Sequence, residues 1–485
     1  MKDLSWLQDS ALFCQAALIG SEWVAADDGR AIDVTDPATG AVIGTVPDVS
    51  AAQTRAAIDS ADAAFQTWRK RSHAERAGLL ERWFELMNEH AEDLARILTA
   101  EQGKPLSEAR GEIAYGASFV KWFAEEARRI DGCVIPAPGS DRQIVVLKEP
   151  VGVSAIITPW NFPNAMITRK VAPALAAGCT VVIKPSELTP FSALALGVLA
   201  QRAGIPAGVI NIVTGMPAAI GAELSASPTV RKLSFTGSTR VGAILMEQCA
   251  PTIKRLSLEL GGNAPFIVFD DADLDAAVEG TIVSKFRNGG QTCVCSNRIL
   301  VQAGVYDAFA QKLAEKVSVM RVGSGMDEGV EIGPMINQPA IDKIHRHVED
   351  ALARGATILA QAAVPDGQYA APTVLGGATT AMVLASEETF GPIAPLFRFE
   401  TEDEAIAIAN ATPFGLAAYF YTENHRRAWR VGQALEFGMV GLNTGSVSTT
   451  VSPFGGVKQS GLGREGARSG IEEYLETKAF HMAGL

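Results

Sequence analysis

Apolar residues in the N-terminal part of the chain recur at intervals of three and four, the spacing that places them on one face of a helix. This spacing is seen at Ile58, Ala61, Phe65 and Trp68. It predicts amphipathic helices over about 50–68, 73–100 and 106–129. Lys104-Pro105 separates the second helix from the third, because proline lacks a backbone donor and does not fit a helix interior.

A different pattern begins near residue 150, where short apolar, β-branched runs alternate with helical stretches. A first series of runs comprises Val151–Thr158, Thr180–Lys184, Val209–Val213, Lys232–Thr236 and Ile253–Leu260. A second series comprises Pro265–Asp270, Arg298–Gln302, Pro392–Glu400, Ala417–Tyr421 and Gly438–Asn443. Strands that alternate with helices at this spacing predict parallel, doubly wound sheets of the α/β class. Gly261-Gly262 lies between the two series and is the natural hinge.

Residues 132–149 do not fit either pattern. Asp141–Lys148 is strand-like but isolated between predicted helices. An isolated two-stranded ribbon is only marginally stable in water. We therefore expect this segment to pack on another part of the chain or on another subunit.

Composition narrows the class of protein. The 485 residues are 47% apolar and 20% charged, which excludes intrinsic disorder and a coiled-coil rod. With 42 basic and 54 acidic residues the net charge is −12, so binding to nucleic acid is not expected. Six scattered cysteines and the lack of a long apolar run predict a reduced, cytoplasmic protein without a membrane span.

Three segments carry side chains suited to catalysis. Cys293 follows paired glycines in Phe286–Cys295. The pattern is consistent either with a thiol nucleophile or with a cysteine that is simply packed in a loop. Glu259 ends an apolar run and is either a general base or a surface carboxylate at the hinge. Asn161 lies between two prolines. It is either a rigidly held hydrogen-bond donor for an oxyanion or part of a simple proline-rich turn.

Two further segments suit a dinucleotide. Lys184 and Glu187 end one predicted strand, where they can bond ribose hydroxyls, and the carboxylate would repel a 2′-phosphate. Gly237 and Ser238 lie between another predicted strand and a helix. They form either an anion-binding site or a simple cap of that helix. The match of Gly461–Gly466 to G-x-G-x-x-G lacks the strand that such a fingerprint requires. No metal site is expected, because the closest histidines are only two residues apart and have no cysteine partner.

Taken together, these segments resemble the NAD(P)-dependent aldehyde dehydrogenase family over nearly the whole chain. The matching segments, in order, are Pro159–Pro163, Lys184–Glu187, Phe235–Gly242, Leu258–Pro265, Phe286–Cys293 and Glu387–Pro392. Within the family the chain is most similar to succinate-semialdehyde and glutarate-semialdehyde dehydrogenases. The segments that show this similarity are Ala165–Lys170, Thr292–Arg298 and Pro453–Gly466.

The resemblance implies a role for each matched residue. Cys293 would be the nucleophile, Asn161 the oxyanion donor and Glu259 the base that activates water. NAD, or alternatively NADP, would be held by Trp160, Lys184, Glu187, Gly237, Ser238, Glu388 and Phe390. The carboxylate of a semialdehyde would be bound by Arg169, Arg287 and Ser448. Lys170 and Glu465 match a proton-relay pair, and Cys295 is a candidate redox partner of the nucleophile.

The resemblance also implies an organisation and a reaction. Residues 1–131 and 150–258 would form the NAD-binding domain, 259–471 the catalytic domain, and 132–149 with 472–485 an oligomerisation element of a homodimer or homotetramer. The expected reaction oxidises succinate semialdehyde to succinate. Thr449-Thr450 replaces the Asn-Glu pair usual in this group, so glutarate semialdehyde or another aldehyde is the alternative substrate. A cofactor-free thiol esterase and a non-catalytic binding protein are more remote alternatives.

Overall fold

The computed structural model describes residues 4–484. The strands, in chain order, are β1 (Ala17–Ile19), β2 (Glu22–Val24), β3 (Ala31–Thr35), β4 (Val42–Pro47), β5 (Cys133–Ile135), β6 (Arg142–Pro150), β7 (Val153–Ile157), β8 (Thr180–Lys184), β9 (Ile210–Ile212), β10 (Val230–Thr236), β11 (Arg255–Glu259), β12 (Ala264–Val268), β13 (Ser296–Gln302), β14 (Thr357–Gln361), β15 (Thr373–Ala378), β16 (Ile393–Phe399), β17 (Ala417–Tyr421), β18 (Met439–Leu442), β19 (Gly461–Leu462) and β20 (Leu475–Ala483). The α-helices are α1 (Ala51–Trp68), α2 (His73–Glu89), α3 (Ala91–Gln102), α4 (Leu106–Glu126), α5 (Ala165–Ala177), α6 (Phe191–Arg202), α7 (Pro217–Ala226), α8 (Thr239–Cys249), α9 (Leu274–Phe286), α10 (Tyr306–Ser318), α11 (Gln338–Ala353), α12 (Val383–Ser386), α13 (Glu402–Asn410), α14 (His425–Ala434) and α15 (Ser469–Glu472).

Two large sheets, each mainly parallel, organise the chain. The first has the order β19-β11-β10-β7-β8-β9-β1-β2, with β7 to β11 parallel. The second has the order β14-β15-β16-β13-β12-β17-β18 and is parallel except where β14 meets β15. Each sheet separates two apolar cores, one on either face, to which the flanking helices contribute. The predicted α/β fold with two doubly wound sheets is confirmed.

The N-terminal helices match the apolar spacing with one exception. The helix predicted over 73–100 is wrong, because α2 and α3 are separate helices. The backbone leaves the helical conformation at His90, with φ −103° and ψ 20°. After this bend, the Asp93 carboxylate of α3 accepts hydrogen bonds from the backbone N–H groups of Gln8 and Asp9 at 2.9 and 2.8 Å. The apolar spacing continues through the bend, so periodicity alone does not reveal it. Within residues 4–484, the model has no helix with the length and apolar character needed to cross a bilayer.

A small antiparallel sheet has the order β20-β6-β5. The strand predicted at 141–148 is its central strand, and it pairs with β20 from Leu475↔Pro150 to Ala483↔Arg142. This pairing supplies the partner that an isolated ribbon needs. Apolar side chains on this sheet remain uncovered within the chain, since Val134 is 67% and Phe480 51% exposed.

The carboxyl ends of β7, β8, β10 and β11 meet at one edge of the first sheet. Asn161 follows β7, Lys184 ends β8, Ser238 follows β10 and Glu259 ends β11. Ligands of open α/β sheets bind at this kind of edge. The fold therefore brings side chains from four distant segments to one place.

Candidate active site

A left-handed turn presents Cys293 to the site. After α9, the backbone of Asn288, Gly289 and Gly290 has φ values of 53, 62 and 74°. A Cβ atom at Gly290 would lie 2.3 Å from the carbonyl oxygen of Gly391, so this close approach requires glycine. The paired glycines noted in the sequence therefore hold the cysteine segment against the neighbouring loop.

Cys293 lies in the walls of two cavities. The larger, of about 370 Å³, is lined among others by Trp160, Asn161, Gly237, Ser238, Glu388 and Phe390. The smaller, of about 20 Å³, is lined among others by Tyr115, Phe162, Arg169, Arg287, Ser448 and Phe454. Within the described part of the chain, Cys293 is the residue common to both linings. The thiol thus borders both cavities.

The electrostatic environment of Cys293 favours the neutral thiol. Burial raises the pKa of Cys293 to about 12, Arg169 opposes this rise, and Glu388 and Glu259 add to it. Because the thiolate is the reactive form, this residue must lose its proton before it attacks.

Asn161 is buried beside the thiol in the larger cavity. Its Nδ2 donates to the carbonyl oxygen of Gln291 at 3.0 Å. Its Oδ1 has no hydrogen-bond partner among the described residues. A side-chain amide nitrogen carries two hydrogens, so one donor remains for a ligand atom.

Glu259 combines burial with unsatisfied oxygens. Neither carboxylate oxygen accepts a hydrogen bond within residues 4–484. Burial raises the pKa of Glu259 well above its usual range and Glu465 adds to the rise, whereas Arg169 and Lys170 oppose it. A carboxyl group with a raised pKa is suited to accept a proton near neutral pH.

Arg169, Lys170 and Glu465 form a buried ion cluster. Both cations lie on α5, and each forms an ion pair with the Glu465 carboxylate in the segment after β19. Burial alone would raise the pKa of Glu465, but the two cations hold it below its usual value. The Arg169 guanidinium also lies 4.1 Å from the centre of the Phe454 ring. Arg169 therefore reaches the smaller cavity with its charge already compensated.

Arg287 lines the same cavity but, unlike Arg169, forms no ion pair with the described residues. Its guanidinium carbon lies 4.8 Å from the centre of the Phe162 ring. The Ser448 hydroxyl oxygen lies 2.5 Å from that of Tyr115. The buried Glu108 carboxylate lies within electrostatic reach of Arg287 but forms no ion pair with it. A cation that lines a cavity together with two hydroxyl groups can bind an anionic group.

The residues expected to hold the distal part of a dinucleotide lie along the edge of the first sheet. Lys184 Nζ donates to Glu187 Oε2 at 2.7 Å, outside the lining of both cavities. Burial lowers the pKa of Lys184, and Glu187 opposes this. Ser238 caps α8 by accepting from Val241 N–H at 3.3 Å, which leaves the other N–H groups of the first turn for an anion.

The loop after α12 faces the other side of the larger cavity. Glu388 Oε1 accepts from Gly262 N–H at 3.3 Å, and burial raises the pKa of Glu388 to about 7. Phe390 has φ 55°, a strained value for a bulky residue, and its ring meets Trp160 edge-on with centres 5.7 Å apart. The helix terminus, carboxyl group and aromatic pair fit a nicotinamide dinucleotide, which combines phosphate, ribose and ring.

Comparison with known proteins agrees with this geometry. The sequence profile described as "Aldehyde dehydrogenase family" matches residues 23–480. The chain belongs to the aldehyde dehydrogenase family. It is 59% identical over 472 residues to a glutarate-semialdehyde dehydrogenase of Pseudomonas putida, covering 97% of this chain and 98% of the relative. It is also 59% identical over 474 residues to an NADP(+) succinate-semialdehyde dehydrogenase of Escherichia coli, with 97% and 98% covered. A crystal structure of an aldehyde dehydrogenase from Brucella melitensis matches with a TM-score of 0.98 and 61% identity, covering 99% of each chain.

The predicted site residues of this aldehyde dehydrogenase fall into three groups by the cavity that they line. Most predicted cofactor residues share the larger cavity, and the three predicted substrate residues share the smaller one. Glu259, Lys170 and Glu465 are buried and line neither cavity. Tyr115 and Phe162 were not singled out, although Phe162 lies inside a matched segment. Tyr115 carries no signal beyond its place in a predicted helix.

Cys295, the candidate redox partner, is buried next to this aldehyde dehydrogenase's cysteine loop. Its Sγ donates to the carbonyl oxygen of Lys285 at 3.2 Å, and it lines neither cavity. Burial raises its pKa, which Lys285 opposes. A disulfide with Cys293 would require the Cys295 side chain to leave this hydrogen bond, and the redox role stays a prediction.

Proposed function

We propose that this enzyme oxidises succinate semialdehyde to succinate with a nicotinamide dinucleotide. The observation that carries the proposal is the shared thiol: Cys293 lies between a cavity suited to the cofactor and one lined by Arg287, a cation that forms no ion pair with the described residues. An aldehyde with a terminal carboxylate matches that second cavity in charge. The names of the relatives, succinate- and glutarate-semialdehyde dehydrogenase, support the same substrate class.

The reaction would proceed through a covalent acyl-enzyme. Cys293 Sγ passes its proton through water to the solvent and attacks the carbonyl carbon. A C–S bond forms, and the electrons of the carbonyl π bond move to the oxygen. The new oxyanion accepts hydrogen bonds from the Asn161 amide and the Cys293 backbone N–H, and one such donor is worth about 3 kcal/mol of barrier. When bound, the nicotinamide supplies the hydride acceptor, with Ser238 and Glu388 among the residues that would hold the cofactor.

Release of the product would need water. Loss of hydride from the carbon leaves a thioester on Cys293. Glu259 takes a proton from a water molecule, whose oxygen attacks the thioester carbon. The C–S bond then breaks, the thiolate leaves, and succinate is released. The raised pKa of Glu259 supports this role, because it makes the carboxylate a stronger base.

Recognition of the substrate's carboxylate can be tested at Arg287. We expect Arg287→Met to raise the KM for succinate semialdehyde about tenfold to a hundredfold, because a charge-assisted hydrogen bond is lost. The KM for propanal, which has no carboxylate, should change little. Steady-state kinetics with both aldehydes measures this difference. Arg354→Met is a matched control, since Arg354 pairs with Asp350 on α11. An equal change for both aldehydes would contradict carboxylate recognition by Arg287.

Cofactor choice can be tested at Glu187. We propose that the enzyme prefers NAD to NADP, because the Glu187 carboxylate beside Lys184 would repel a 2′-phosphate. Glu187→Gln is expected to raise kcat/KM for NADP about tenfold relative to that for NAD. Kinetics with both cofactors at saturating aldehyde gives the ratio. A wild-type preference for NADP, or a ratio that the substitution leaves unchanged, would refute this assignment.

The small sheet supports a homodimer or homotetramer. We propose that residues 132–149 and 472–485 form the oligomerisation element. Residues 1–131 and 150–258 would form the cofactor-binding domain, and residues 259–471 the catalytic domain. The exposed apolar side chains Val134 and Phe480 support this assignment. The double substitution Val134→Lys and Phe480→Lys is expected to lower the mass measured by sedimentation equilibrium. An unchanged mass would argue against this surface.

A further inference from the structure

The turn between α3 and α4 places a buried cation beside the proposed oxyanion donor. Lys104 is 2% exposed, and its Nζ donates to the backbone carbonyl oxygen of Asn161 at 2.7 Å and to Glu112 Oε2 at 2.6 Å. The Nζ atom also lies 3.9 Å from the centre of the Phe162 ring. Burial lowers the pKa of Lys104, and the Glu112 carboxylate opposes this. The sequence pattern assigned this residue no part beyond the helix break at Lys104-Pro105.

A second donor reaches the same carbonyl group from the cysteine loop. Asn288 Nδ2 donates to the Asn161 carbonyl oxygen at 3.0 Å. Its Oδ1 accepts from Gln102 Nε2 at 3.1 Å, which fixes the orientation of the Asn288 amide. Its backbone N–H donates to Glu108 at 2.9 Å. The carbonyl of Asn161 is therefore held at once by the α3–α4 turn and by the loop that carries Cys293.

Glu112 connects the same hydrogen-bond network to the start of α5. Its Oε1 accepts from the backbone N–H groups of Asn164 and Ala165 at 3.0 and 3.2 Å. The Lys104–Glu112 pair thus holds the middle of the short segment between β7 and α5, at Asn161, and its carboxyl end, at Asn164. A backbone restrained in this way limits the positions that the Asn161 side chain can take.

Resting on the role proposed above for Asn161, we propose that Lys104 and Asn288 are positioning residues for the reaction. By holding the Asn161 carbonyl, they keep its side-chain amide where the oxyanion forms. Neither needs to touch the substrate. A displacement of about 1 Å in a reacting group can cost about a hundredfold in rate, so such a restraint has a measurable effect.

The test compares two independent variants with Asn161→Ala. Lys104→Met is combined with Glu112→Gln, so that the buried Glu112 carboxylate is not left without the cation it pairs with. Asn288→Gly removes the second donor but tolerates the left-handed backbone at that position. Each is expected to lower kcat about tenfold to a hundredfold, with the KM for semialdehyde and the NAD dissociation constant changed less than about threefold. Lys312→Met, which breaks a surface pair with Asp275, is the control.

A double-mutant cycle distinguishes positioning from a general loss of structure. If both residues act through the Asn161 amide, adding either change to Asn161→Ala lowers kcat no further than Asn161→Ala alone. Losses that multiply, or kcat values close to wild type, overturn the inference. Circular dichroism and thermal unfolding check folding, and if the Lys104 variant does not fold, Asn288→Gly decides alone. A wild-type kcat for Asn161→Ala would instead refute the oxyanion role and this inference with it. If the variants of Lys104 and Asn288 kept the wild-type kcat while Asn161→Ala lost most of it, the positioning role would be overturned but the oxyanion role would stand.

Discussion

Cys293→Ala is expected to lower kcat by about ten thousandfold or more, because no other atom in the site can form the thioester. Binding of NAD should persist, since many other residues line the larger cavity. Formation of NADH measures turnover, and quenching of protein fluorescence measures cofactor binding. Cys133→Ala is the matched control, because that thiol is exposed on β5 far along the chain from the site.

The same variant separates the proposed reaction from its alternatives. A cofactor-free thiol esterase would use Cys293 but would yield no NADH from an aldehyde. A non-catalytic binding protein would yield none in the wild type either. If Cys293→Ala retained NADH formation at the wild-type rate, the covalent mechanism would be wrong.

Glu259→Gln is expected to stop the reaction after the first half. The thioester would form but hydrolyse about a hundredfold to ten thousandfold more slowly, since water would lack its base. Stopped-flow absorbance should show a burst of about one NADH per active site, followed by a slow steady rate. Mass spectrometry of the quenched protein would detect the acyl group on Cys293.

The pH dependence provides a second measurement at Glu259. The base acts in its deprotonated form, and burial raises its pKa. The wild-type hydrolysis rate should therefore rise with pH as Glu259 loses its proton, whereas Glu259→Gln should lack this limb. Glu315→Gln on α10 is the control, expected to retain the wild-type profile. A burst followed by wild-type turnover in Glu259→Gln would assign the base elsewhere.

The sequence predicts buried strands better than exposed ones. The bounds of β8 and β17 match the predicted runs residue for residue, because continuous apolar residues are buried on both faces of the sheet. Strand β14 was not predicted, since its apolar run is only three residues long and most of its side chains are exposed. The residue pattern did not predict strand β20, but the family resemblance placed 472–485 in one element with 132–149, and β20 pairs with β6 in the structure.

The candidate site shows a similar division. Cys293, Glu259 and Asn161 lie in short segments whose glycine and proline residues mark them in the sequence. Lys104 also stands between a glycine and a proline, but that pattern indicates only a helix break, and Tyr115 lies within a predicted helix without any such residue. Their contacts with Asn161 and Ser448 could not be predicted, because they depend on how the helices pack. For Arg169 the sequence left a substrate contact and an ion pair open, and its pairing with Glu465 became visible only in the folded chain.

The position of Cys293 between two cavities has a kinetic consequence. Among the described residues, the linings of the two cavities share only Cys293, so ligands of the two cavities would contact a common residue only at the thiol. An inhibitor that fills one cavity would act noncompetitively toward the ligand of the other, and two such inhibitors could be linked across the sulfur atom.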